Sequence, residues 1–241
     1  MPFTISHAAV VLPIHRFAKK HLSLTGLIVG SMCPDLEYFS RMQILATYGH
    51  LWLKGLGFNI FIGLIYCFVF HYLVRNPLIL HLPQIGKRRL ISFCSFQWGR
   101  YFIKNWWIVI GSLILGIYSH LLWDAFTHEW GFFAKRIPYL QQIWWGSFKG
   151  FKILQYLSSI VGLFYLCIVI LQLEEKPMPK EKFNFNFWMQ VVLLSAIISF
   201  VRFYYFPIEI MSGNLIVVPM MAGFVSLIVI GLVDQILQKK A

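Results

Sequence analysis

The sequence predicts an all-α, polytopic transmembrane helix bundle of about seven helices, the first two forming a hairpin of short ones. Composition, hydropathy and the length of the apolar runs carry that expectation. Of 241 residues, 59% are hydrophobic and 18% aromatic, while only 12% are charged. Soluble domains carry roughly twice that share of charged residues. Mean hydropathy is +0.69. Several apolar runs reach the roughly 20 residues that a helix needs to cross about 30 Å of hydrocarbon. No internal repeat and no soluble module interrupts them, so 1–241 reads as a single integral-membrane domain.

Residues 5–14 and 22–32 are apolar but short for a crossing, and they flank a basic turn from His15 to His21. They are expected to form a helical hairpin over 1–35, packed on the other helices; lying flat in the interface is the alternative. Pro13 is expected to kink or end the first leg, since proline removes a helical hydrogen bond. Full crossings are expected at 51–74, 106–126, 153–173, 187–206 and 215–236, that is, within 51–126 and 153–236. Gly111, Gly116, Gly162, Gly223 and Gly231 lie within these runs, where a missing Cβ lets helices approach closely. No basic region followed by an apolar core and a small-residue cleavage site opens the chain, so no removable signal peptide is expected. Cys33, Cys67, Cys94 and Cys167 show no Cys-x-x-Cys spacing and read as small apolar fillers.

Basic residues orient the bundle. The connection 75–104 holds Arg75, Lys87, Arg88, Arg89, Arg100 and Lys104 without an acid, which marks it as cytoplasmic. Counting crossings from there places 176–182 and the tail Lys239 and Lys240 on the same side, together with Arg16, Lys19 and Lys20. The N-terminus falls outside and the C-terminus inside. The turn 207–214, free of Lys and Arg, falls outside as it should. Segment 127–152 also falls outside although it carries Lys135, Arg136, Lys149 and Lys152, against the bias. The net charge of +12 is explained by connections facing anionic lipid. Membrane lipids are therefore the expected partners. No nucleic acid is expected, because the basic connection is too short and too apolar to form a binding module.

His120 and Asp124 stand one helical turn apart and project from one face, with His128 one further turn along. The predicted topology brings His7, Asp35 and His50 to the same, extracytoplasmic side. The chain has nine acidic residues, and Asp35, Glu37, Asp124 and Glu129 all fall in this neighbourhood. Imidazoles and carboxylates are the ligand types of a divalent metal such as zinc, and ionisable groups at a membrane edge mark functional sites. Such an ion activates water and polarises a phosphoryl or carbonyl oxygen. His7, Asp35, His50, His120 and Asp124 are the candidate metal ligands, and a bridging aspartate would admit two ions. Glu129 and His128 are the candidate catalytic groups, as base or outer partner, with Glu37 a further carboxylate for that task.

Plainer explanations fit each residue singly. The His120–Asp124 pair also suits an intrahelical hydrogen bond, and Asp35 after Pro34 suits a helix N-cap. His50 beside Trp52 suits an interfacial anchor, and His7 after Thr4 and Ser6 a capping turn. His15, His21, His71 and His81 are expected to be solvated or snorkelling.

The opening Met1-Pro-Phe-Thr-Ile-Ser-His-Ala-Ala-Val-Val-Leu-Pro13, the segment Gly30-Ser-Met-Cys-Pro-Asp35 and Ser119-His-Leu-Leu-Trp-Asp-Ala-Phe-Thr-His128 resemble a bacterial integral-membrane family, domain of unknown function 4184. That family is more distantly similar to proteins labelled membrane-bound metal-dependent hydrolases. The resemblance implies the same ligand set (His7, Asp35, His50, His120 and Asp124) and a place in the bacterial inner membrane. The family tends to have His-Ser where this chain has His50-Leu51, so any role of that serine is absent. Three functions stay open: a metal-dependent hydrolase acting on phosphoesters or lipid headgroups, a transporter or channel, and a non-catalytic structural protein. Against transport, Arg202 and Asp234 lie near span ends and no inverted repeat shows.

Overall fold

A computed structural model of the chain describes residues 3–206, 208 and 213–238. Met1 and Pro2 of the opening segment, most of the turn 207–214, and Lys239 and Lys240 lie outside the described residues. The fold is all-α apart from one short hairpin of β1 (Ile143–Trp145) and β2 (Phe148–Lys149), turning through Gly146 at φ 56°.

Among the described residues, five helical stretches are long and apolar enough to cross a membrane, as a multi-pass membrane protein requires: Leu56–His81, Trp98–Arg136, Gly150–Leu171, Phe185–Tyr205 and Asn214–Leu237. They match the five full crossings expected, and the two short hairpin helices are not among them. The hairpin helices α1 (Ala8–Phe17) and α2 (Leu24–Gly30) have 10 and 7 residues. At about 1.5 Å per residue they reach half the hydrocarbon thickness or less. Pro13 does not end α1, which runs on to Phe17.

The next elements are α3 (Cys33–Arg41), α4 (Leu56–Val69), α5 (Arg75–His81) and α6 (Gln84–Leu90). A wide π turn at Phe70–Val74 joins α4 to α5, so the first full span continues past residue 74. Helix α7 (Trp98–Thr127) starts earlier than expected and is interrupted at Asn105, with φ −133° and ψ 23°. Hydropathy set the start at residue 106, just after this break. Segment 127–152 folds into α8 (Phe132–Arg136), α9 (Pro138–Gln141) and the β hairpin, before α10 (Gly150–Leu171). Helices α11 (Phe185–Tyr205) and α12 (Asn214–Gln238) follow.

Contacts divide the chain into two compact units. The first holds residues 1–35, 47–65 and 99–169. Its centre is the hairpin leg α2 lying on α7, with Val11, Leu27, Leu113 and Ile117 fully buried. Ser23 caps α2 by accepting from the Gly26 amide at 3.2 Å, while its own amide donates to Ser112 Oγ at 2.8 Å. The helices touch backbone to backbone: a Cβ on Gly116 would stand 2.6 Å from Leu27 O and Ser31 N. On α10, a Cβ on Gly162 would meet Ser6 at 2.9 Å, and Ser159 Oγ accepts from the Phe3 amide at 2.9 Å. These contacts fix the N-terminal 3-10 turn Thr4–His7. Gly111 has nothing within 4 Å, and Gly223 only Ser195 Oγ at 3.8 Å, so those two glycines do not serve the close contacts expected of them.

The second unit holds residues 36–46, 66–98 and 170–241. Val74, Phe187, Val191 and Leu227 form its core, and Gly231 packs on Pro77. The basic connection is partly neutralised: Lys87 pairs with Glu181, and Arg89 with Glu175 at 2.6 Å. The Lys176 amide also donates to the Arg88 carbonyl at 3.0 Å, so the connections following α5 and α10 lie side by side. His71 and His81 are buried rather than solvated. His71 stacks on Trp98 at 4.4 Å and His81 on Phe187 at 3.6 Å, because flat rings fill the gaps between aromatic neighbours better than water does.

Candidate metal centre

All five predicted ligands meet inside the first unit. His120 and Asp124 extend from the last two turns of α7, and Asp35 sits in the first turn of α3. His7 closes the 3-10 turn, and His50 occupies the loop before α4. Asp35, His120 and Asp124 are fully buried, and the His50 side chain is 11% exposed.

Asp124 Oδ2 lies 3.2 Å from His120 Nε2 and 3.5 Å from His50 Nε2. Asp35 Oδ1 lies 3.4 Å from His50 Nε2 and 3.6 Å from His120 Nε2. Asp124 Oδ1 faces the other way, 3.6 Å from His7 Nε2 and 3.4 Å from His128 Nδ1. The His7 and His120 rings stack, centroids 3.9 Å apart. Ligand atoms of His7, Asp35 and His120, and likewise of His50, His120 and Asp124, lie within 4.8 Å of one another.

Outer contacts aim these atoms. His120 Nδ1–H donates to the Ser31 carbonyl at 2.8 Å, so Nε2 is the nitrogen presented to the cluster. Thr4 Oγ1 donates to Asp35 Oδ2 at 2.6 Å, which leaves Oδ1 for the cluster. His7 Nε2, Asp35 Oδ1, His120 Nε2 and both Asp124 oxygens are buried without a hydrogen-bond partner. Buried polar atoms are nearly always satisfied, and a buried carboxylate without compensation is costly. Among the described residues, every ion-pair partner of Asp35 and Asp124 is a histidine. Burial lowers the His50 pKa, but its contacts with Asp124 and Asp35 outweigh that and push it up to about 9. At neutral pH a proton on His50 therefore stands where a cation would balance the two carboxylates.

Asp35 is not a simple N-cap, since its Oδ2 is taken by the Thr4 hydroxyl. His50 turns inward while Trp52 packs on Tyr118 at 6.0 Å. His128 joins the cluster, with the half-exposed Trp130 ring 4.9 Å away. Glu129 does not. Helix α7 ends at Thr127, the chain turns, and Glu129 points outward, 73% exposed and 3.6 Å from Lys149. The Glu37 carboxylate is engaged by Arg41 at 2.9 Å in α3. Thr4, the Ser31 carbonyl and Gln155, whose Nε2 lies 3.4 Å from His128 Nε2, escaped the sequence reading. Gln155 carried a signal: an amide one turn into an apolar span invites a buried partner.

No curated protein and no solved structure matches the chain. The family model described as domain of unknown function (DUF4184) matches residues 1–237, and the chain belongs to that family.

Proposed function

We propose that the protein is a membrane-embedded, metal-dependent hydrolase whose extracytoplasmic site acts on phosphoesters, with lipid headgroups as its substrate class. One observation carries this: buried, unpartnered imidazole and carboxylate atoms of His7, Asp35, His120 and Asp124 converge from three separate segments, and His50 Nε2 meets two of those residues from a fourth. Four N or O ligands at about 2.0–2.1 Å from zinc stand roughly 3.3–3.4 Å apart. The four contacts linking His50 and His120 with Asp35 and Asp124 span 3.2–3.6 Å. Ligand atoms of His50, His120 and Asp124 also lie within 4.8 Å of one another, so these residues can converge on a divalent ion, and an all-N/O donor set suits zinc.

A bound ion supplies Lewis acidity toward a phosphoryl oxygen and lowers the pKa of water. The protein's own residues do the rest. His50, His120, Asp35 and Asp124 hold the ion, while Thr4 and the Ser31 carbonyl fix two of them in orientation. With Glu129 turned away, His128 is the further ionisable group beside the four ligands, its Nδ1 3.4 Å from Asp124 Oδ1. Trp130 packs against both His50 and His128 and limits water there.

A groove of about 450 Å³ favours a lipid over a water-soluble ester. It begins at Ser6 and His7 and runs between Val10, Trp123, Leu157 and Val161. Its lining is apolar and its rim exposed, so an acyl chain lies there with its headgroup at the cluster. His120 and Asp124 lie in the C-terminal turns of α7, whereas Arg100 and Lys104 lie in its N-terminal turns. The paired connections after α5 and α10 suit the cytoplasmic side, leaving the N-terminus outside and the C-terminus inside a bacterial inner membrane. Similarity of the family to proteins labelled membrane-bound metal-dependent hydrolases points the same way.

The test is turnover. Zinc-loaded protein in detergent is expected to cleave a fluorogenic phosphodiester or a phospholipid, to lose that on chelation and to regain it with zinc. His120→Ala is expected to abolish it. Turnover that ignores both chelator and His120→Ala overturns the proposal.

Binding should also carry a proton signature. Ligation needs neutral His50, which is protonated below about pH 9. Zinc binding at pH 7 is expected to release about one proton from this group, so affinity climbs by about tenfold per pH unit and levels off above pH 9. In the metal-free protein the His50 contribution to stability is full below the unfolded value of 6.5 and is lost as pH rises to about 9. Calorimetry in buffers of different ionisation enthalpy reads the release directly; none at pH 7 contradicts the assignment.

A further inference from the structure

Asp124 presents its two oxygens to two different sets of imidazoles. Oδ2 faces His50 and His120, which Asp35 Oδ1 also meets. Oδ1 faces His7 Nε2 at 3.6 Å and His128 Nδ1 at 3.4 Å, and neither Asp124 oxygen has a hydrogen-bond partner. An ion held by His50, His120, Asp35 and Asp124 Oδ2 would leave Asp124 Oδ1 and His7 Nε2 buried and unsatisfied beside it.

We propose that the centre is binuclear, Asp124 bridging one ion held by His50, His120 and Asp35 to a second ion held by His7 Nε2 and His128 Nδ1. The inference rests on the metal-site proposal above and adds the second position and its ligands. His128 Nδ1 has no strong bond to give up: its contacts with Thr127 Oγ1 and the Asp124 carbonyl are both 3.3 Å, long for hydrogen bonds. Its far nitrogen meets the Gln155 amide, whose Oε1 is buried. Amide orientation follows the network. Turned so that Oε1 accepts Nε2–H, Gln155 fixes the tautomer that frees Nδ1 for a metal, the outer-partner arrangement of metal-bound histidines.

The two positions differ in kind. The first draws four atoms from protein. The second draws three, His7 Nε2, His128 Nδ1 and Asp124 Oδ1, which is the ligand count of a catalytic site with an open position. His7 also lines the apolar groove, which puts the second position next to the inner end of that groove. The competing arrangement is a single ion that recruits His7 alongside Asp35 and His120, whose ligand atoms lie within 4.8 Å of one another.

The full chain, purified in detergent, stripped and reloaded with zinc alone, decides between them by elemental analysis. About two zinc ions per chain are expected for the wild type and about one for His128→Ala. His7→Gln, a milder change, is expected to match His128→Ala, and a retained melting transition certifies that each variant is folded. Loaded with manganese instead, the wild type should give the exchange-coupled electron paramagnetic resonance spectrum of a bridged pair, and His128→Ala the spectrum of an isolated ion. One ion in the wild type, or two retained in a folded His128→Ala and His7→Gln, overturns the second site and leaves the first standing. No ion at all overturns both.

Discussion

Asp124→Asn is expected to lower zinc affinity by more than about a hundredfold, past the 10–100-fold that loss of an outer partner produces. The substitution keeps the shape and removes the charge. Asp124 makes ion-pair contacts with His7, His50, His120 and His128, more than any other residue of the cluster. The amide offers one neutral oxygen, and its NH₂ group has no lone pair for a metal, so at least one ligand contact is lost. Folding should survive, because a buried carboxylate without its cation is itself a burden. Thermal unfolding separates the two effects. Zinc at a hundred times its Kd stabilises a protein by about 2.7 kcal/mol per site, so a gain of at least that size is expected for the wild type and is lost in Asp124→Asn. An equal gain in both would remove Asp124 from the metal site.

The second large effect lies away from the cluster. Gly116→Val is expected to destabilise the protein by about 3 kcal/mol, the upper end of overpacking losses. Its Cβ would stand 2.6 Å from Leu27 O and Ser31 N and 2.8 Å from Gly30 C. Those are backbone atoms of α2 and its end, which no rotamer change can clear. The same shift displaces the Ser31 carbonyl that orients His120, so zinc binding should weaken in the fraction that still folds. Gly111→Val on the same helix is the control. It meets nothing within 4 Å and should stay within about 0.5 kcal/mol of wild type. Equal losses at both positions would show that the α2–α7 contact does not hold this end of the molecule together.

Much of this molecule was legible in its sequence, and for identifiable reasons. Long apolar runs announce membrane-crossing helices because lipid tolerates little else. Their ends were less visible. Residues 75–81 and 98–105 are helical but mix Arg, Asn and Lys with apolar positions, so hydropathy stopped short of them. The hairpin legs were legible as helices, while their role as packed braces follows from Gly26, Gly30 and Gly116, where backbones touch.

The cluster was legible because carboxylates are scarce in this chain and a helical turn separates His120 from Asp124. Its outer contacts were not. Thr4, the Ser31 carbonyl and Gln155 are neutral groups whose direction depends on tertiary packing. Glu129 misled for a related reason. One residue past the last histidine of a helix end, its direction is set by the turn that follows Thr127 rather than by helical periodicity.

The central claim is that His and Asp side chains alone hold a divalent ion at this end of the bundle. X-ray absorption at the zinc edge of the purified, zinc-loaded protein tests it most directly. The expected spectrum shows nitrogen and oxygen neighbours at about 2.0–2.1 Å, imidazole scattering beyond them, and no sulfur shell at about 2.3 Å. Sulfur neighbours would assign the ion to cysteine, and a spectrum of hydrated zinc with no imidazole scattering would leave these side chains without a metal to hold.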